Sequence, residues 1–217
     1  VLNRVNVLCY LWGDWKEGER YVHTLKNMVE RHTTQPFDFY CITDRPVTGI
    51  ECLPLKVDWF RRLKKMAAYD TSYGLLGTQF MFDLDVVITG NIDHILGYQG
   101  KFCTIEDFYR PRKPCGALNA WQGGDEDLEE KLYKALELDP QKTGEDTGGN
   151  ERFWLEKQLG ENMEYWQDLF PDQMFSAKPD RYTIRETIPD RARIVFFHGR
   201  QKNHEYTHLD WVKKHWQ

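Results

Sequence analysis

Short apolar runs alternate with amphipathic stretches through the first half of the chain. Val5–Leu11 (VNVLCYL) is a β-rich run closed by Trp12-Gly13-Asp14. Residues 21–31 then place Tyr21, Leu25, Met28 and Val29 on one helical face, and His32-Thr33-Thr34-Gln35-Pro36 breaks that helix. Residues 37–43 (FDFYCIT) predict a second strand, closed by Asp44-Arg45-Pro46, and residues 52–57 a third. A basic helix is expected over 61–73, and a strand over 79–82 that runs straight into Asp83-Leu84-Asp85 before Val86-Val87-Ile88 turns apolar again. This order predicts an α/β fold with a mainly parallel, Rossmann-like sheet flanked by helices and joined by right-handed crossovers. Ligands of such sheets sit beyond the carboxyl ends of the strands.

The second half is less regular. Strands are expected over 101–106 and 116–121, and an amphipathic helix over 125–138, whose early acids suit the helix dipole. Residues 140–149 (PQKTGEDTGG) hold three glycines and no apolar anchor, which predicts a mobile loop able to close over a ligand. Residues 150–159 read as a helix. Residues 193–197 (RIVFF) form a last strand that delivers His198-Gly199-Arg200, and 207–216 a closing helix. No repeat, low-complexity tract or linker divides the chain, so one domain over 1–217 is expected.

At 217 residues and 25.9 kDa the chain is long enough to bury a core, and its 41% hydrophobic and 29% charged residues argue against disorder. A formal charge of −5 disfavours a dedicated nucleic-acid module, while leaving room for a local basic groove. No apolar run approaches the ~18–20 residues of a membrane span. No signal peptide is recognisable; the chain opens on Val1, not Met, which leaves an upstream segment open. Cys9, Cys41, Cys52, Cys103 and Cys115 are odd in number and lack a CxxC pair, so free thiols in a reducing, cytoplasmic setting are expected. His204 and His208, spaced i, i+4 in His204-Glu205-Tyr206-Thr207-His208, are expected to be solvated helix residues rather than a zinc site.

The strongest chemical signal is Asp83 and Asp85 at the end of an apolar strand. On an extended chain, residues i and i+2 face the same way. Two such carboxylates repel unless a cation lies between them, and Mg²⁺ or Mn²⁺ with oxygen ligands resolves the conflict. His198, directly after RIVFF, supplies an imidazole as a third ligand.

The stretch FMFDLDVVITGNIDHIL resembles the D-x-D segment of nucleotide-sugar glycosyltransferases with the GT-A fold. YVHTLKNMVERHTTQPFDFYCITDRP is similar to the opening of such enzymes, and VFFHGRQK to the family-8-like ending, in which His, Gly and Lys are more widely spaced. The resemblance covers roughly 5–205. It implies a nucleotide-binding half over about 1–95 and an acceptor-binding half over about 96–217, with Mn²⁺ or Mg²⁺ on Asp83, Asp85 and His198. It also implies a donor, most simply a UDP-sugar, against Tyr10, Leu11, Trp12, Thr43, Asp44, Lys65, Asp83, Leu84, Asp85, Gly199 and Lys202. Asn150 and Glu151 match an acid–amide pair that faces the sugar in similar enzymes, with the two positions exchanged.

The expected activity is therefore metal-dependent transfer of a hexosyl or related sugar to a hydroxyl of a saccharide or glycolipid, by retention more readily than inversion. A modified nucleobase stays open as acceptor. Two rivals remain: a nucleotidyltransferase, although Leu11-Trp12-Gly13-Asp14 lacks the Gly-rich basic signature such enzymes show near the first strand, and a non-catalytic nucleotide-sugar-binding module.

Overall fold

β1 (Val5–Leu11) is buried at every position, as a continuous apolar run in the middle of a parallel sheet must be. The structure, a computed structural model, describes residues 4–15 and 17–217. α1 (Gly18–His32) turns Tyr21, Leu25, Met28 and Val29 inward, and β2 (Asp38–Thr43) and β3 (Glu51–Pro54) follow. Two 3₁₀ helices, Arg61–Tyr69 and Thr71–Tyr73, lead to β4 (Thr78–Phe82) and β5 (Val86–Ile88). Next come α2 (Asp93–Leu96), β6 (Cys103–Thr104), β7 (Leu118–Gln122), and α3 (Glu126–Glu129), which passes through a π-helical stretch, Glu130–Lys134, into α4 (Ala135–Glu137). α5 (Pro140–Thr147), α6 (Glu151–Leu159), β8 (Glu164–Tyr165), α7 (Trp166–Leu169), β9 (Met174–Ser176), β10 (Ile194–Phe196) and α8 (Asp210–His215) complete the chain.

The main sheet has seven strands in the order β3-β2-β1-β4-β7-β6-β8, parallel from β3 to β4, with β7 antiparallel to both neighbours. The chain order turns around at β1, which lies between β2 and β4. A crevice therefore opens beyond the carboxyl ends of β1 and β4. Alternation along β1 feeds two cores: Val5, Val7, Cys9 and Leu11 pack on the α1 side, and Leu8 and Tyr10 against Leu63, Met66 and Trp154 on the other. A second sheet, β5-β10-β9, brings the C-terminal strand against the segment that follows Asp85. All five cysteines are free.

Several expected elements change. The third strand stops at Pro54. The basic helix over 61–73 is 3₁₀ and breaks at Asp70, whose carboxylate accepts the Ser72 N–H. Of the 101–106 strand, Cys103–Thr104 forms β6 and Glu106 makes an isolated antiparallel bridge to Pro114, and β8, β9, α2 and α7 are too short to leave a periodic signal.

The largest correction concerns residues 140–149, which form no loop. Asp139 caps α5 by accepting the Lys142 N–H at 3.0 Å, Pro140 sits in the first turn, and Gly148 closes the helix at φ 59°. Small residues seat the helix in place of an apolar stripe: Thr143, Gly144 and Thr147 are buried. Gly149, at φ 70°, approaches Phe60 so closely that a Cβ would lie 2.5 Å from the ring. The expected lid is thus a packed helix. Asp139→Ala should lower stability to urea by about 1 kcal/mol, and limited proteolysis of the native protein should spare Pro140–Thr147; rapid cleavage there would contradict the capped helix.

Candidate active site

β4 ends at Phe82, and Leu84 and Asp85 form a turn before β5, so the D-x-D segment is a tight corner and not an extended strand. Two backbone bonds fix that corner. The Asp83 N–H donates to the Ala117 carbonyl at 2.8 Å, and the Asp85 carbonyl accepts the Phe197 N–H at 2.8 Å. The corner is therefore held between the approach to β7 and the exit of β10.

Each carboxylate meets its own lysine. The Lys65 ammonium pairs with Asp83, and also with Glu151 at 3.0 Å, while the Lys202 ammonium pairs with Asp85. Lys65 is buried, on the inward face of the 3₁₀ helix, whereas its neighbour Lys64 turns out to pair with Asp58. Burial pulls the Lys65 pKa down, but Asp83 and Glu151 together raise it further, so the ammonium stays charged. Burial pushes the Asp85 carboxyl up, and Lys202 only partly offsets this. Glu151 is 2% exposed at the start of α6, and its Oε2 has no partner. Asn150 caps the same helix by accepting the Arg152 N–H at 3.4 Å. The Tyr10 hydroxyl donates to the Lys65 carbonyl and ties the end of β1 to the 3₁₀ helix.

These groups line one cleft of about 520 Å³. Of the residues expected from the sequence, it gathers Tyr10, Leu11, Trp12, Lys65, Asp83, Leu84, Asp85, Asn150, Glu151, His198, Gly199 and Lys202. Thr43 and Asp44 lie outside its wall. The Thr43 hydroxyl donates to the Arg45 carbonyl, and Asp44 accepts the Gly13 N–H at 2.8 Å and pairs with Arg45. The cleft also holds Trp15, Arg62, Asp107, Tyr109 and Arg152, which sequence reasoning passed over. The one signal for two of them was the charged and aromatic cluster Asp107-Phe108-Tyr109-Arg110 between two expected strands.

His198 is in the cleft but is not gathered with the two aspartates into a ligand set. Its Nε2 lies 2.7 Å from the Ser176 hydroxyl and 3.3 Å from the Tyr109 hydroxyl, and its ring stacks on Phe108. Among the described residues, no group of three or more His, Cys, Asp or Glu side chains is arranged to hold a metal ion. The donor chemistry of Asp83 and Asp85 fits a hard divalent cation; the third ligand expected from the sequence does not join them as the side chains stand.

No protein-family model matches the sequence, and no curated protein matches it. The fold does have solved counterparts. The crystal structure of the glycosyltransferase GlyE from Streptococcus pneumoniae TIGR4 superposes with a TM-score of 0.70 over 98% of this chain, at 12% identity. The chain has a glycosyltransferase-like fold. It spans 63% of the length of GlyE. No helix among the described residues is long and apolar enough to cross a membrane.

Burial, and after it the Lys178 ammonium, push the His198 imidazole from its ordinary 6.5 down to about 4. Between those values the unfolded chain binds more protons than the folded one, so this contribution to stability is complete above about pH 6.5 and is lost as pH falls towards 4. An NMR titration of the His198 ring in the free protein should show a midpoint near 4. A midpoint near 6.5 would mean that the ring is solvated and unconstrained.

Proposed function

We propose that this chain transfers a sugar from a nucleotide sugar, a UDP-sugar foremost, to an acceptor hydroxyl, with Mn²⁺ or Mg²⁺ bound at Asp83 and Asp85. One observation carries the reading: a D-x-D corner at the carboxyl end of a central strand opens into a cleft whose walls are the end of β1 and the His198–Lys202 segment, on a glycosyltransferase-like fold. A bound divalent cation would supply charge neutralisation for the departing diphosphate. The protein's own groups do the rest. The rings of Tyr10 and Trp12, edge to face at 5.9 Å, offer a surface for the base. Lys65, Arg62 and Lys202 line the same cleft and place positive charge there for the phosphates.

Glu151 supports the sugar reading from the other side. With Oε1 engaged by Lys65, the buried Oε2 of this cleft-lining residue has no partner, and we read it as an acceptor held for a sugar hydroxyl and for the positive charge that builds at the anomeric carbon. Asn150 sets the direction of that helix start through its cap. Retention of configuration goes with this reading on the resemblance of the VFFHGRQK ending to family-8-like enzymes, not on the geometry of Asn150 and Glu151.

UDP release from a panel of UDP-sugars, with Mn²⁺, with Mg²⁺ and with EDTA, tests the proposal. Release is expected with either ion and abolished by chelator, and Asp85→Asn should cost on the order of 100-fold or more in rate while the protein stays folded. Full turnover in EDTA would leave the diphosphate charge to the lysines alone and end the metal assignment. Binding of UDP-sugars without any release, with or without acceptor, would favour the binding-module reading instead.

A further inference from the structure

The cleft does not end at His198. A second groove of about 630 Å³ shares Asp107, Tyr109, Arg152, His198 and Gly199 with it and continues on the other side of the His198-Gly199 turn. Its charge is one-sided. Arg110, Arg152, Lys178, Arg181 and Arg200 line it, against the single carboxylate of Asp107. The chain as a whole carries 34 acidic and 29 basic residues, so this concentration of positive charge runs against its composition.

The cations are under-compensated one by one. Arg110 and Arg152 both reach the same oxygen of Asp107, at 3.0 and 3.1 Å. The Arg110 Nη2 and Arg152 Nε atoms are buried without a partner. Lys178 is 5% exposed, bonds through its ammonium to the His198 carbonyl, and forms no ion pair among the described residues. Burial and then Lys202 pull its pKa below the ordinary range, against the weaker opposing pull of Asp85 and Glu205. Arg181 lies over the Tyr109 ring at 4.5 Å, and neither it nor Arg200 forms an ion pair among the described residues. Like charges held together in a concave wall raise the local concentration of anions.

We propose that this groove binds the acceptor, and that the acceptor is an anionic saccharide bearing carboxylate or phosphate groups. The word acceptor rests on the sugar-transfer reading above; the charge of the ligand rests on the groove alone. The donor's diphosphate has its own cations, Lys65 and Lys202, beside Asp83 and Asp85. Most of the groove's cations lie outside the cleft that holds those pairs. Asp107 stands where groove and cleft meet, its carboxylate engaged by the Tyr109 N–H, Arg110 and Arg152. The chain's net charge of −5 opposes a long polyanion such as a nucleic acid, which leaves a short anionic saccharide as the ligand.

The test is calorimetric binding to the full chain, with and without UDP and Mn²⁺. The probes are tetragalacturonate against its methyl ester, 6-phosphorylated maltotetraose against maltotetraose, and a short single-stranded DNA. At least one anionic oligosaccharide should bind about tenfold or more tightly than its neutral counterpart, and should still bind when UDP is present. The double variant Arg181→Ala/Arg200→Ala should erase that preference and leave UDP affinity unchanged. Which pair shows the preference distinguishes carboxylate from phosphate. Equal binding of charged and neutral members of both pairs overturns the proposal. So does a loss of UDP affinity in the double variant, which would return the groove to the donor, and so does tighter binding of the DNA than of either anionic saccharide. Absence of UDP binding with the oligosaccharide preference intact would count against the transfer reading and not against the groove.

Discussion

Lys65 carries its ammonium into the protein between two carboxylates, Asp83 on the D-x-D corner and Glu151 at the start of α6. Three segments far apart in sequence therefore converge on one charge, and a fourth joins them when the Tyr10 hydroxyl donates to the Lys65 carbonyl. A buried ion pair of this kind adds little net stability when complete, because desolvation offsets the Coulomb gain. Breaking it from one side costs roughly 3–5 kcal/mol, since a charge is left uncompensated. The arrangement thus enforces position more than it adds stability: Asp83, Glu151 and the end of β1 keep their mutual geometry or the ammonium loses its partners.

The backbone of the sheet carries the same constraint outward. Asp83 is pinned to Ala117 and Asp85 to Phe197, so the corner cannot shift without disturbing both the approach to β7 and the exit of β10. Lys202 repeats the Lys65 device on Asp85 from the C-terminal side. Beyond it, His198 and Gly199 line both the cleft and the groove. In the cleft Lys65 and Lys202 each face a carboxylate, whereas Lys178, Arg181 and Arg200 of the groove form no ion pair among the described residues.

Much of this framework could be read in the sequence, for physical reasons. β1, β2 and β4 are buried on both faces, so each leaves an unbroken apolar run, and the carboxylates that end one of them stand out against it. RIVFF announces β10 in the same way. Three features could not be read. α5 owes its stability to the Asp139 cap and to the close seating of Gly144 and Gly149 on Phe60, and a hydrophobic pattern records neither. Lys65 can be read as a donor-side cation, but its pairing with Asp83 and the buried Glu151 exists only in the fold. His198 reads as a ligand after a strand, yet its Nε2 is engaged by Ser176 on β9, a strand of three residues that is too short to show a period. Local patterns give strands; the pairing of charges across the crevice exists only once the chain is folded.

The central claim is that Lys65 couples the D-x-D corner to α6 as one unit. A double-mutant cycle with Lys65→Met and Glu151→Gln, followed by urea unfolding at pH 8, measures that coupling directly. If Lys65 bridges the two acids, the single variants should be costly and the double variant much less costly than their sum, with a coupling energy of about 2 kcal/mol. Effects that add to within about 0.5 kcal/mol would show the two side chains to be energetically independent and would contradict the account.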